Sequence, residues 1–243
     1  RYLDAMPSNE YPRVASFAIR ELIIAQSDAK QFDAHTVLGS ILLGHKPTEV
    51  HSTMVAHLTK ALIRRLIDTD PAELLDTAYE CGLYHDVGKS AVILNIDNNG
   101  RRLIDEEFQG IQTHPAIGCG LLQEAGCGKY MAPAALYHHR FYNGQGGYPK
   151  DVPPCPPEVK VIVDALSVAD SLDAATDNIG RCYQMAKPFR TLVGELKAQS
   201  GTRYAPKVVA LFDDKDFCAE LAQRLDEKRK EVYLQAYHIG REK

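Results

Sequence analysis

Histidine and aspartate side chains recur along the chain in a pattern that could bind metal ions. The candidate positions are His51, His85, Asp86, His114, His138, His139 and Asp170. A single histidine is more often a surface or hydrogen-bonded core residue than a ligand, but a set of this size predicts a metal-binding pocket. Imidazole and carboxylate ligands without thiolate suit iron or manganese, and they also accept zinc, nickel or magnesium.

Helices must position these side chains, because helical periodicity dominates the sequence and strands are hard to find. Apolar residues recur every four positions over residues 47–67, which predicts a long helix that carries His51. Residues 71–84 repeat apolar side chains with a spacing of three and four, which predicts an amphipathic helix. His85 and Asp86 therefore lie at the C-terminal end of this helix.

Two further helical stretches follow, at 129–140 and 156–176. The first ends in the histidine pair, and the second carries Asp170 and Asp173 three residues apart on one face. Residues 141–157, between them, contain three glycines and five prolines. This composition is typical of a long ordered loop, and such loops are often functional. We therefore expect several helices to direct imidazoles and carboxylates into one pocket, as helical bundles do when they bind metals.

Net charge and composition exclude several function classes. The 243 residues have a formal net charge of −4 and no dense tract of lysine and arginine. The sequence therefore predicts no binding of duplex nucleic acid and no membrane contact in this segment. The sequence contains no run of 18 apolar residues, which is about the length that a helix needs to span a bilayer. Any nucleotide that the protein binds is therefore expected to be small.

The cysteines are scattered rather than paired. They are Cys81, Cys119, Cys127, Cys155, Cys182 and Cys218. We interpret them as reduced thiols of a cytoplasmic protein. The chain begins at Arg1 rather than Met, which leaves room for a sensor domain before residue 1, and a homodimer also stays open.

Five sequence blocks follow one another in a recognisable order. They are HDVGK at 85–89, THPAIG at 113–118, HHRFYNGQGGYP at 138–149, VADSLDAAT at 168–176 and GTRYAPKVVALF at 201–212. In this order they resemble the HD superfamily of metal-dependent phosphohydrolases, and more narrowly its HD-GYP branch. The resemblance implies an all-α helical bundle with the metal centre between helices. It also implies hydrolysis of cyclic di-GMP to linear pGpG by a hydroxide that two divalent ions activate.

The resemblance divides the ligands between two metal ions that share one carboxylate. The first ion would bind His51, His85, Asp86 and Asp170. The second would share Asp86 and bind His114 and His138, with His139 as a further candidate ligand in the pocket wall. Three-metal members of this family take another ligand from a glutamate four residues before the first histidine. Pro47 occupies that place here, so two ions are expected.

The resemblance implies that Asp86 and Lys89 are the catalytic residues. It also implies four substrate contacts, which are Lys89, Arg181, Tyr148 and Gly147. Gly88 would let the backbone turn, and Lys89 carries a compact charge suited to a phosphate oxygen. Arg181 matches an arginine of the family and would touch phosphate. Tyr148 offers a ring for a guanine, and Gly147 lies beside it in the cleft.

The resemblance also divides the chain into three parts. Residues 1–45 would be an N-terminal helical extension, with two helices over 11–44. Residues 46–212 would be the HD/HD-GYP-like catalytic domain. Residues 213–243 would contain a charged C-terminal helix that faces solvent.

Two departures from the family leave other functions open. The usual His-His-Glu is His138-His139-Arg140, and the loop that precedes Tyr148 is one residue longer than usual. One alternative is an HD hydrolase that acts on another nucleotide or phosphate ester. The other is a degenerate nucleotide-binding receptor domain.

Overall fold

The computed structural model describes residues 46–67, 71–92, 104–179 and 185–238. Within these ranges the chain forms nine α-helices and no β-strand. The helices are α1 Lys46–Leu66, α2 Ala72–Tyr84, α3 Asp105–Ile111, α4 His114–Glu124, α5 Met131–Tyr137, α6 Pro157–Thr176, α7 Phe189–Ala198, α8 Pro206–Val209 and α9 Lys215–His238. Two short 3₁₀ turns lie at Val87–Ala91 and Ala210–Asp213. The predicted all-α class is confirmed, while the predicted extension over 1–45 lies outside the described residues.

Helix α1 is the centre of the bundle. Its apolar stripe is buried and includes Val50, Met54, Leu58 and Leu62. The helix packs against α2, α6 and α9. The helix predicted over 47–67 is thereby confirmed, and its buried face also carries His51 toward the middle of the bundle.

Prolines stand at the start of several helices. Pro157 and Pro206 are the first residues of α6 and α8, where a missing N–H leaves no helical hydrogen bond unmade. Pro71 directly precedes α2, which confirms the helix predicted over 71–84. None of the helices in the described part of the chain has the length and apolar character needed to cross a membrane.

Helix α9 has a buried face that the sequence prediction did not anticipate. Leu221, Leu225 and Val232 belong to the same core cluster as α1 and α6. The expectation that the C-terminal helix faces solvent is therefore wrong for this face. The buried apolar residues are four or seven positions apart, and the many charged residues between them make the helix look exposed when it is judged by composition.

The turn after α2 approaches the start of α4 very closely at Gly88. A Cβ atom on Gly88 would lie 2.0 Å from the carbonyl oxygen of His114 and 2.5 Å from the amide nitrogen of Gly118. Both neighbours are backbone atoms, so neither can move aside without shifting α4. Gly88 thus brings the segment that carries His85 and Asp86 against the helix that begins at His114.

We expect Gly88→Ala to destabilise the protein and to weaken metal binding. Overpacking of this kind costs about 1–3 kcal/mol, and the shift of α4 would also displace His114. Gly120→Ala is the matched control in α4, since a Cβ there meets nothing within 4 Å. Unfolding temperature and metal content should fall only for Gly88→Ala, because alanine in place of glycine within a helix is otherwise stabilising. Equal unfolding temperatures for the two variants would contradict the close approach.

Candidate metal centre

Seven predicted ligands come from five different helices and the residues at their ends. His51 lies within α1, and Asp170 lies within α6. The other ligands occur at helix boundaries, because His85 and His138 are the C-cap residues of α2 and α5 and His114 is the first residue of α4. Asp86 and His139 follow the two C-caps directly. All seven side chains are buried except that of His139, which is half-buried.

The side chains gather into two groups that share Asp86. The first group contains His51, His85 and Asp86. The second contains Asp86, His114, His138 and His139. Within each group one ligand atom per residue lies within 4.8 Å of all the others. The resemblance assigns Asp170 to the first ion, but Asp170 belongs to neither of these groups, whereas Asp86 belongs to both.

Three of the histidines are oriented by a backbone carbonyl three residues earlier. The Nδ1 atoms of His85, His114 and His138 lie 2.7 Å from the carbonyl oxygens of Gly82, Ile111 and Ala135, respectively. Each of these carbonyls belongs to the last turn of a helix, where carbonyls lack a partner within the helix. A carbonyl can only accept, so Nδ1 must donate, and in the neutral ring Nε2 is left with a free lone pair.

The free Nε2 atoms converge on a carboxylate that also only accepts. The Nε2 atoms of His114 and His138 lie 3.2 Å apart, and that of His114 lies 3.1 Å from Oδ1 of Asp86. The buried Nε2 of His85 and Oδ1 of Asp86 make no hydrogen bond. Acceptors this close together repel one another unless a cation lies between them. The donor set therefore fits divalent metal ions bound by imidazole and carboxylate.

The protonation of these groups suits metal binding. Burial lowers the pKa of His85, and it lowers the pKa of His114 to about 4, so both rings are neutral near pH 7. Burial alone would raise the pKa of Asp86, but the positive charge of the neighbouring Lys89 holds that pKa well below its usual range. The shared carboxylate is thus ionised, while the rings of His85 and His114 beside it are neutral.

His51 is held in a different way from the other histidines. Its Nε2 lies 3.1 Å from Oδ1 of Asp170, and its Nδ1 lies 2.7 Å from Oδ2 of Asp173. Burial alone would lower the pKa of His51, but its hydrogen bonds to Asp170 and Asp173 raise it to about 9. Asp173 thus contacts the ring nitrogen that faces away from Asp170.

Asp170 lies between the two groups of ligands rather than within either. One carboxylate oxygen contacts His51, and the other lies 3.7 Å from Nδ1 of His139. Burial lowers the pKa of His139 well below its usual range, so this ring too is neutral.

The loop before α6 closes one side of the pocket. The Tyr148 ring lies against the His139 ring, with centroids 4.5 Å apart, and it is 6.1 Å from the His114 ring. Gly147 has a φ of 72°, and a Cβ there would lie 1.9 Å from the carbonyl oxygen of His139. Only glycine allows this close contact, which carries Tyr148 to the ligands.

Arg140, which replaces the usual glutamate, is directed into the loop. Its guanidinium donates to the carbonyl oxygen of Gly144 at 2.8 Å, and its backbone pairs with Gly147 as an isolated bridge. The unusual arginine therefore stabilises the lengthened loop. Arg181, the fourth predicted substrate contact, lies in 180–184, outside the described residues.

Sequence reasoning missed one buried charge near the ligands. Arg229 of α9 is 2% exposed and donates to Oδ1 of Asp173 at 2.9 Å. The available signal was its position in the apolar stripe of α9, four residues after Leu225 and three before Val232. A charged residue at a core position of an amphipathic helix indicates a buried partner.

A protein-family model described as "HD domain" matches residues 48–175, more than half of the 243 residues. The chain belongs to the HD domain family. The matched part of this HD domain begins in α1 and ends in α6, so it contains every metal ligand predicted from the sequence. Helix α9, with Arg229, lies beyond it.

Curated relatives of this HD domain include three named phosphodiesterases. A cyclic di-GMP phosphodiesterase of Thermotoga maritima is 32% identical over 130 residues, which are 53% of this chain and 34% of the relative. A cyclic di-GMP phosphodiesterase of Pseudomonas aeruginosa is 34% identical over 134 residues, 54% of this chain and 31% of the relative. The 3'3'-cGAMP-specific phosphodiesterase 3 of Vibrio cholerae is 27% identical over 176 residues, 72% of this chain and 37% of the relative. The chain therefore spans about a third of the length of these relatives.

Proposed function

We propose that this HD domain is a metal-dependent phosphohydrolase that hydrolyses cyclic di-GMP to linear pGpG. The observation that carries the proposal is the convergence of acceptor-only imidazole nitrogens on the buried Asp86 carboxylate. When bound, two divalent ions supply an activated water and neutralise charge at phosphorus. The names of the relatives support a cyclic dinucleotide as the substrate.

The ligands would be divided between two ions, with iron or manganese favoured and zinc, nickel or magnesium also acceptable. One ion would bind His51, His85, Asp86 and Asp170. The other would share Asp86 and bind His114, His138 and His139. Tyr148 and Gly147 would line the substrate cleft beside His139, while Lys89 and Arg181 would meet phosphate oxygens.

Two ions rather than three are supported by the start of α1. Pro47 occupies the position one turn before His51, where it offers no ligand atom. Glu49 lies two residues before His51, about 200° around the helix. Its carboxylate accepts from Nζ of Lys46 at 2.8 Å. Among the described residues, the candidate ligands form the two groups that share Asp86.

The decisive experiment is metal-dependent turnover by the purified protein. Chelated protein should be inactive toward bis-p-nitrophenyl phosphate and cyclic di-GMP, and added Mn²⁺ or Fe²⁺ should restore both activities. Turnover of the generic diester without cyclic di-GMP would support an HD hydrolase for another phosphate ester. Nucleotide binding with no turnover of any diester would support the receptor alternative.

A second candidate substrate is a mixed cyclic dinucleotide. The Vibrio cholerae relative, specific for 3'3'-cGAMP by name, matches 72% of this chain, whereas the two cyclic di-GMP relatives match 53% and 54%. The lengthened loop beside Tyr148 could change which base the cleft accepts. Rates measured side by side for cyclic di-GMP, 3'3'-cGAMP and cyclic di-AMP would separate these candidates.

We expect a two-ion centre to release mainly the linear dinucleotide. Opening the ring needs one hydrolysis, whereas mononucleotide requires the linear product to bind again and react. Elemental analysis should give two metal ions per chain, and early time points should contain pGpG before GMP. A third ion at full occupancy, or GMP as the dominant early product, would show that another residue replaces the missing glutamate.

The remaining expectations concern the cellular compartment, a further domain and the oligomeric state. The five described cysteines are free thiols, which supports the cytoplasm as the proposed compartment. A sensor domain before residue 1 and a homodimer remain expectations from the sequence.

A further inference from the structure

Arg229 makes a buried contact between the C-terminal helix and the candidate metal centre. Its guanidinium donates to Oδ1 of Asp173 and to both the carbonyl and the hydroxyl oxygen of Thr176, each at 2.9 Å. Thr176 is the last residue of α6, where helix carbonyls lack a partner within the helix and a cation is favoured. Arg229 therefore fixes α9 to the end of the helix that carries Asp170 and Asp173.

Asp173 connects Arg229 to His51. One of its carboxylate oxygens accepts from Arg229, and the other lies 2.7 Å from Nδ1 of His51. An Nδ1–H that donates to a carboxylate leaves Nε2 as the ligand atom, directed at Asp170 and Asp86. The distances from this Nε2 are 3.1 Å to Oδ1 of Asp170 and 3.5 Å to Oδ2 of Asp86.

His51 needs this support because of its place in the chain. His85, His114 and His138 stand at helix boundaries, where a nearby carbonyl is free to orient the ring. His51 is the sixth residue of the 21-residue helix α1. The carbonyls of its preceding turn already accept hydrogen bonds within the helix, so a side chain from elsewhere must orient the ring.

Asp173 in turn needs Arg229 to hold it in one orientation. Its two oxygens face two different groups, and a carboxylate bonded only to His51 could rotate about its last side-chain bond. The guanidinium fixes the other oxygen, and the two contacts together determine the plane of the carboxylate. Arg229 is 2% exposed, so bulk solvent has little access to this contact.

We propose that Arg229 is a positioning residue of the metal centre, which acts through Asp173 on His51 and so makes α9 a functional part of the site. This inference rests on the proposed metal centre and is independent of the substrate. The inference predicts that loss of Arg229 affects only one of the two ions, because backbone carbonyls orient the ligands His114 and His138. Loss of Arg229 should therefore weaken the ion bound by His51 and His85 and spare the other.

The test is titration of chelated protein with Mn²⁺, followed by calorimetry and by electron paramagnetic resonance. Wild-type protein should show two binding events. Arg229→Met should weaken one of them by about 10- to 100-fold, the usual effect of losing an orienting partner of a ligand. Arg229→Lys should restore part of the affinity, because an ammonium can still donate to Asp173. Arg224→Met is the matched control, because Arg224 is an exposed residue of α9 that pairs with Glu220.

Asp173→Asn provides a second variant that keeps the shape of the buried contact. The guanidinium of Arg229 requires an acceptor, so the amide oxygen would face Arg229 and the amide NH₂ would face Nδ1 of His51. The ring would then carry its proton on Nε2, which abolishes that ligand. We expect the same single binding event to weaken as in Arg229→Met, and the double variant should be little worse than either single one.

The outcomes separate this inference from the proposed function. If wild-type protein binds metal but hydrolyses no diester, the proposed function fails while the titrations of Arg229→Met and Asp173→Asn still test the inference. Unchanged affinities at both sites in Arg229→Met would overturn it, even if the unfolding temperature falls. Equal weakening of both sites would also overturn it. If Arg229→Met does not fold, unchanged metal binding by Asp173→Asn would overturn the inference.

Discussion

Asp86→Ala is expected to abolish turnover and to remove both metal ions. Oδ2 of Asp86 lies 3.5 Å from Nε2 of His51 and 3.4 Å from Nε2 of His85, while Oδ1 lies 3.1 Å from Nε2 of His114. One substitution therefore removes a ligand from both groups. It also removes a negative charge from the middle of the ligand cluster, where a divalent cation has few other anions to bind.

Metal content and rate should change together in this variant. Metal ions contribute several kcal/mol of transition-state stabilisation to hydrolysis at phosphorus, so turnover should fall by at least about 1000-fold. Asp86→Asn keeps the shape of the side chain and removes its charge, so it should lose metal as well. Elemental analysis and the initial rate with bis-p-nitrophenyl phosphate measure the two effects.

Asp76→Ala is the matched control for Asp86→Ala. Asp76 belongs to α2, is exposed and pairs with Lys60 on the surface. Its loss should change neither metal content nor rate. If Asp86→Ala keeps two ions per chain with a normal circular dichroism spectrum, the shared carboxylate is not the bridge between the two groups.

The helices that carry the ligands could be predicted from the sequence because their signals are local. The stripe of α1 repeats every four residues, and His85 follows an amphipathic segment that could only be a helix. Ligands at helix ends use carbonyls of their own last turn, so their position along the chain already determines how they are oriented. For these residues, the position in the sequence is enough to predict how the side chain is oriented in the site.

Contacts between residues far apart in the chain could not be predicted in the same way. Arg229 and Asp173 are separated by 56 residues, and no local pattern connects them. The many charged residues of α9 predict an exposed helix, and its buried face is found only when the spacing of its few apolar residues is examined. Gly88 is similar, because its neighbour is the backbone of α4 and the sequence alone suggests only a turn.

Lys89→Ala is expected to keep the metal ions and to slow catalysis. Nζ of Lys89 donates to Oδ2 of Asp86, and its side chain is 19% exposed, so it lies at the edge of the ligand cluster. An ammonium is not a metal ligand, and it competes with a cation for the same carboxylate oxygen. With metal bound to Asp86, the ammonium is free to meet a phosphate oxygen.

The size of the effect follows from charge that develops on phosphate during the reaction. Loss of a positioned cation should lower kcat/KM by about 10- to 1000-fold, with metal content unchanged. The fall should be mostly in kcat, because the ammonium stabilises the transition state more than the bound substrate. Lys60→Ala is the matched control, because Lys60 is a surface residue that pairs with Asp76.

The two variants in HDVGK therefore separate two roles for neighbouring side chains. Asp86→Ala should lose metal and rate together, whereas Lys89→Ala should lose rate alone. Equal metal loss in both would mean that Lys89 serves to hold Asp86 in its ligand position, as its contact with Oδ2 also allows. An unchanged kcat/KM in Lys89→Ala would instead mean that the ammonium stays on Asp86 throughout the reaction and never reaches the phosphate.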